Sequence, residues 1–250
     1  MPRTARKRAE SNIYHVMLRG SNRQQIFCDD EDYQVFHDVL QRVKQISGME
    51  LHAYCLMGNH VHLLIRETGE PLETVFRRIG AAFVYWYNMK YDRVGHLFQD
   101  RYRSEPVESD EYYLTVLRYI LQNPVKAGLC HWPEEYAWSS AEEYLNGYSG
   151  ITDTRFARLL LEESELRTFL KEPNEASCLD VEESSAKHVT DTEAEHMIMA
   201  VFGTMTPTPG PAKSRAAFNE SVQKLLQAGI SIRQLSRLTG LTKKVVENSR

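Results

Sequence analysis

The chain lacks the features that would place it in an oxidising compartment or a membrane. Its 250 residues hold four cysteines, Cys28, Cys55, Cys130 and Cys178, and no CxxC pair. That spacing argues against a disulfide framework and a structural zinc site, and fits reduced thiols. No apolar run approaches the roughly 18–20 residues of a membrane span, so no membrane association is expected. The basic N-terminus, MPRTARKRAESN, is followed by no hydrophobic segment, so a secretory signal is not expected either. Internal repeats are missing. Hydrophobic residues at 42% still suffice for a core, which excludes wholesale disorder. The expectation is a cytoplasmic protein of one or two globular domains.

The chain also lacks an excess of positive charge, its formal net charge being −4, but the average hides a division. Residues 1–150 carry 17 Lys+Arg against 20 Asp+Glu, residues 151–210 carry 5 against 12, and residues 211–250 carry 8 against 2. A module of net +6 thus follows an acidic stretch of net −7. Three regions are expected: a main domain over 1–150, an acidic helical connector and linker over 151–214, and a basic helical region over 215–250.

Hydrophobic periodicity in the main domain alternates between two residues and about 3.6. Strands are predicted over 12–20, 50–56, 60–66 and about 100–108. Helices are predicted over 29–45, 71–91 and from 109 to 123, where Pro124 should end the last one. The order βαββαβ plus a helix is α+β, a ferredoxin-like antiparallel sheet with helices on one face. Within it, Phe83 and Trp86 read as core, Trp132 and Trp138 as packing for the domain's end, and His15, His37, His52 and His96 as structural. In the C-terminal region, Ser236 and Gly240 with inward Leu235, Leu241 and Val246 match a helix-turn-helix. Its second helix would offer Thr242, Lys243 and Lys244 to duplex DNA.

The chemistry concentrates in MGNHVHLLI, residues 57–65. Along a strand, positions two apart share a face, so His60 and His62 project together while Val61, Leu63 and Ile65 face the other way. Paired imidazoles can ligate one divalent cation, although a polar sheet surface would look the same. In the third helix, Tyr113, Leu114, Leu117, Ile120 and Leu121 form the apolar stripe. Tyr119 falls roughly 200° from Leu117, off that stripe, and Asn123 shares its face one turn on. A tyrosine directed away from the core beside a carboxamide suits a nucleophile next to a metal ligand.

Taken together, YHVMLRGSNRQQIF (14–27), MGNHVHLLI (57–65), GHLFQDRYRSEPVES (95–109), YILQNPVKAGL (119–129) and WPEEYAWSSAEEY (132–144) resemble the HUH-endonuclease single-tyrosine transposases, in particular the REP-associated tyrosine transposases. The resemblance covers residues 12 to about 146. It implies a metal-dependent, site-specific endonuclease and strand-transferase acting on single-stranded DNA with hairpins or palindromes, in a bacterial, nucleoid-associated setting. It places the nucleophile on Tyr119 and the metal ligands on His60, His62 and Asn123, with Mg²⁺ or Mn²⁺ as cofactor. The family often has proline where Gly58 stands, a change expected to matter little. It leaves monomer and homodimer both open.

Phosphate contacts are expected from Arg3, Arg6, Lys7 and Arg8 in the N-terminal tail, Arg77 and Arg78 on the second helix, and Arg101 and Arg103 on the fourth strand. Tyr85, Tyr87 and Tyr91 are candidates for stacking on unpaired bases. The rival reading is a non-catalytic, domesticated regulator that binds DNA through the C-terminal helix-turn-helix.

Overall fold

A computed structural model describes residues 7–173, 178–179, 191–209, 215–230 and 232–249. Arg3 and Arg6, and the end of the linker at 210–214, lie outside the described residues. The chain divides into two compact units, Met1–Val181 and Glu182–Arg250.

The first unit runs β1 (Ile13–Arg19), α1 (Asp30–Ser47), β2 (Glu50–Met57), β3 (His60–Arg66), α2 (Leu72–Lys90), β4 (Arg103–Pro106) and α3 (Asp110–Lys126). Three short helices follow: α4 (Ala141–Leu145), α5 (Arg155–Leu160) and α6 (Glu163–Lys171). Local chemistry sets the ends. The Asp29 carboxylate accepts from the Asp32 amide while the Asp32 carboxylate accepts from the Asp29 amide, which closes the start of α1. Gly48 ends that helix at a φ of 70°, a conformation that costs glycine little. Ser109 caps α3 by accepting from the Tyr112 amide, and Asp110 and Glu111 in the first turn complement the helix dipole.

The sheet order is β2-β3-β1-β4, antiparallel throughout, as the ferredoxin-like plan requires. Alternation along each strand divides its side chains between two cores. Val16, Leu18, Val61, Leu63 and Ile65 pack under Phe36 and Leu40 of α1 and Ile79 and Phe83 of α2. Ile13, Cys55, Met57 and Leu64 point the other way, against Tyr113, Leu117, Ile120 and Leu121 of α3. The expectation of helices on one face therefore holds for α1 and α2 alone. The helix that follows the βαββαβ unit covers the opposite face, because that face is itself apolar at alternate positions.

Three further expectations change. α3 continues through Pro124 to Lys126, and the Ala127 amide still donates to the Asn123 carbonyl at 3.0 Å. Proline forfeits its own amide bond and crowds the Ile120 carbonyl, a cost offset by the burial of Tyr119, Ile120, Leu121, Asn123 and Pro124. β4 is four residues long, so Arg103 lies in it and Arg101 lies before it. Trp138 stacks on Tyr33 with ring centroids 4.8 Å apart, as core, but Trp132 is 52% exposed.

Residues 151–171, assigned by charge to a connector, pack with the first unit: Ala157, Leu166 and Leu170 join the core around α3. The second unit has its own core, in which Ala194 and Ile198 of α7 (Asp191–Phe202), Phe218 and Val222 of α8 (Arg215–Gln227), Leu235 of α9 (Ile232–Thr239) and Val246 of α10 (Lys243–Asn248) meet. Net charge reports the solvent side of a helix and is blind to the two or three apolar positions that decide where it packs.

Burial also shapes the pH response. His52 on β2 is held below the ordinary histidine range by burial, against the opposing pull of Glu50 at 3.2 Å. His37 is lowered for the same leading reason. Unfolded rings take up protons below about pH 6.5 whereas these stay neutral, so stability present at neutral pH is lost as pH falls through that value. Urea midpoints at pH about 7.5 and about 5.5 should show the drop, and His52→Gln should reduce it. An equal midpoint for the wild type at both values would contradict this.

Candidate functional site

β3 begins at His60 directly after the two-residue turn Gly58-Asn59. That turn is clamped from outside. The Ile26 and Phe27 amides donate to the Gly58 carbonyl at 2.8 and 3.1 Å, and the Gly20 amide donates to the Asn59 carbonyl at 2.9 Å. Glycine at position 20 lets the clamping segment fold tightly on itself, since a Cβ there would sit 2.3 Å from the Gln24 carbonyl oxygen. Gly20→Ala should cost about 1–3 kcal/mol of first-unit stability, read as a lower thermal midpoint. A Cβ at Gly58 would meet only the side-chain amide of Gln25, which can swing away, so Gly58→Ala should cost less. Equal losses would show that the clamp does not govern.

The register carries His60, His62 and Leu64 onto the α3 face of the sheet, as the alternation predicts. Met17 stands opposite His62, Arg19 opposite His60, and Arg103 opposite Met17. His60 and His62 have ring centroids 5.0 Å apart at 90°. His62 is fully buried. Burial first, then the neighbouring His15 and His60 rings, hold it well below the usual histidine range, so it is neutral. Its Nδ1 lies 2.9 Å from Nε2 of His15. Its Nε2 is buried with no hydrogen-bond partner among the described residues. His60 Nδ1 lies 2.7 Å from the Asn59 side-chain oxygen, which can only accept, so the neutral ring has its proton on Nδ1 and its lone pair on Nε2.

Tyr119 closes the site from α3. Its ring meets His62 edge-on at 5.7 Å and His15 at 5.8 Å. The Lys126 ammonium lies 5.4 Å from the Tyr119 ring centroid. Tyr119 is 3% exposed and Asn123 is 8% exposed. The expectation that Tyr119 points away from the core is thus corrected: it lies off the Leu117 stripe, yet α3 is buried on more than one side. Gln122 donates to the Leu170 carbonyl of α6 at 2.7 Å on one flank, while the imidazoles occupy another. Asn123 donates from Nδ2 to the Tyr119 carbonyl at 3.3 Å. Its hydrogen bond goes to the helix and not to an imidazole, which leaves Oδ1 as its oxygen donor.

Among the described residues no three His, Cys, Asp or Glu side chains form a metal-holding group. The donors are two imidazoles and, on the facing helix, an amide. As a donor set they are compatible with a divalent cation: the buried His62 Nε2 has no hydrogen-bond partner among the described residues, and both histidines have their second nitrogen held by a neighbour, the usual support for metal-ligating rings.

The remaining candidates are spread more widely. Arg77 and Arg78 are on α2, across the sheet from the imidazoles, with Arg78 paired to Glu70 at 2.6 Å. Lys7 and Arg8 are exposed. Of the α2 aromatics, Tyr85 is 71% exposed and Tyr87 is buried. In the second unit Thr242 caps α10 by accepting from the Val245 amide, and Thr242, Lys243 and Lys244 are exposed. Sequence reasoning did not bring Arg19 or Lys126 to this face, and it read His15 as structural. The signal for His15 and Arg19 was their phase on β1, with His15 two residues from Met17 and Arg19 two beyond it. The signal for Lys126 was its place seven residues after Tyr119.

The sheet carries a His-x-His strand beneath a tyrosine-bearing helix, and residues 9–123 match the family described as "Transposase IS200 like". That match spans a little under half of the 250 residues. The fold is similar to that of a REP-associated tyrosine transposase whose structure was solved with a REP hairpin bound. The TM-score is 0.52 and the identity 17%, over 74% of this chain and 96% of that one. A structure named as a transposase from Deinococcus radiodurans R1 is 21% identical over 48% of this chain and 95% of its own, with a TM-score of 0.35. No curated protein matches the sequence. Among the described residues no helix is long and apolar enough to cross a membrane.

Proposed function

We propose that the protein is a REP-associated type of tyrosine transposase, a metal-dependent nuclease that cleaves and rejoins single-stranded DNA next to a hairpin. The observation that carries this reading is the meeting of the Tyr119 ring with the His62 and His15 rings at 5.7 and 5.8 Å, from an element far away in sequence. The hairpin part of the reading is supported by the similar transposase solved on a REP hairpin.

The phenol oxygen of Tyr119 attacks the phosphorus, the bond to the 3′ oxygen breaks, and the phenol proton ends on the released 3′-hydroxyl. The 5′-phosphate stays on Tyr119 as a diester, which keeps the bond energy available for rejoining. His60, His62 and Asn123 would hold Mg²⁺ or Mn²⁺, whose contribution when bound is Lewis-acid polarisation of the phosphate. Nitrogen ligands tilt that choice towards Mn²⁺. Arg19 and Arg103 share the imidazole face of the sheet, where their guanidinium groups can grip phosphate oxygens of the bound strand. Lys126, against the nucleophile's ring, adds a point charge beside the scissile group.

Lys7, Arg8, Arg77, Arg78 and Arg101 are assigned to backbone phosphates further from the cut, together with Arg3 and Arg6. Thr242, Lys243 and Lys244 are assigned to duplex DNA through the helix-turn-helix of the basic 215–250 region. The test is incubation with hairpin-bearing single-stranded DNA and Mn²⁺, followed by a denaturing gel. A protein–DNA adduct that requires both the metal and the hairpin supports the reading. Hairpin binding without an adduct under any divalent ion overturns it in favour of a regulator.

A further inference from the structure

We propose that His15 is the positioning residue that fixes which nitrogen His62 presents to the cation; this rests on the metal-site reading above. The antiparallel register sets Met17 opposite His62 and His15 opposite Leu64, so His15 reaches His62 along the diagonal. Both rings are fully buried, 5.2 Å apart between centroids and tilted by 35°. Nε2 of His15 and Nδ1 of His62 are 2.9 Å apart, a distance that requires one proton between them.

Two arrangements are available. If His15 donates, the neutral His62 must carry its proton on Nε2, where no acceptor lies among the described residues. That proton blocks the lone pair a metal needs. If His62 donates from Nδ1, the lone pair is on Nε2 and His15 is the Nδ1–H tautomer. The second arrangement gives His62 the same proton placement that Asn59 imposes on His60 through its 2.7 Å contact. The pair then presents two like nitrogens, each held by its own neighbour. His15 contacts Tyr119 as well, at 5.8 Å, so its ring also fixes the spacing between the nucleophile and His62.

Two substitutions separate these duties. His15→Phe keeps a ring against Tyr119 and removes the acceptor, whereas His15→Gln keeps an acceptor near the position of Nε2. Nitrogen-15 spectra of histidine-labelled, metal-free protein report the tautomer directly, and calorimetry with Mn²⁺ alone reports affinity. The expected wild-type signature is a protonated Nδ1 on His62. His15→Phe should lose it and bind Mn²⁺ about 10–100-fold more weakly, the usual range for a ligand's supporting partner, with His15→Gln restoring much of both. A protonated Nε2 on His62 in the wild type overturns the proposal even if His15→Phe fails to fold. So does unchanged Mn²⁺ affinity in a folded His15→Phe. If wild-type protein and His62→Ala bind Mn²⁺ equally, the metal-site reading itself has failed, and this proposal with it.

Discussion

Tyr119→Phe should abolish the covalent protein–DNA adduct and reduce strand cleavage by about 10⁴-fold or more, the scale on which loss of a nucleophile is felt. The substitution removes one oxygen and leaves the ring that packs edge-on against His62 and His15. The helix, the sheet and the imidazole positions therefore persist. Hairpin affinity should change little, because affinity resides in phosphate and base contacts. The pairing of lost chemistry with kept binding matters, since a misfolded variant would lose both. If the Tyr119→Phe protein still forms the adduct, another side chain is the nucleophile.

His62→Ala should reduce metal-dependent cleavage about 10³-fold, which corresponds to the several kcal/mol that a Lewis acid supplies to a phosphoryl transition state. Hairpin affinity should again persist. Because His62 is fully buried, truncation leaves a cavity and some stability is lost. Retained hairpin binding then doubles as the check that the fold survives. The signature that separates a ligand from a packing residue is the metal response. Raising Mn²⁺ should recover part of the rate for His60→Ala, which keeps the buried His62 nitrogen, and much less for His62→Ala. Wild-type turnover by His62→Ala would remove it from the site.

Much of this was legible in the sequence for a definite physical reason. A period of two fixed the face shared by His60 and His62, and a period near 3.6 fixed the stripe of α3 along with the angular offset of Tyr119. Both are consequences of local geometry and need no knowledge of the rest of the chain. What stayed hidden was how many sides of α3 are covered. The angle of Tyr119 from Leu117 was right, but the inference that this direction leads to solvent was not. It assumed one buried face, whereas the sheet lies against α3 on one flank and Leu166 and Leu170 of α6 on another.

His15 was hidden for a related reason. Its partner is 47 residues away, and only the β1–β3 register shows that the two meet. A lone histidine in a strand reads as structural until the strand has a neighbour. The arginines suffered from the opposite error, in which local spacing was trusted too far. Arg101 and Arg103 alternate in sequence, but the strand starts at Arg103. Arg19, in a stretch already identified as β1, was passed over although its phase placed it beside His60.

The measurement that bears most directly on the whole account is mass spectrometry of the protein after reaction with a hairpin-bearing single strand and Mn²⁺, nuclease trimming and proteolysis. The account predicts a 5′-phosphonucleotide on the peptide that contains Tyr119, on the tyrosine four residues before Asn123. A modified peptide elsewhere, or cleaved DNA whose 5′-phosphate is never found on protein, would contradict it.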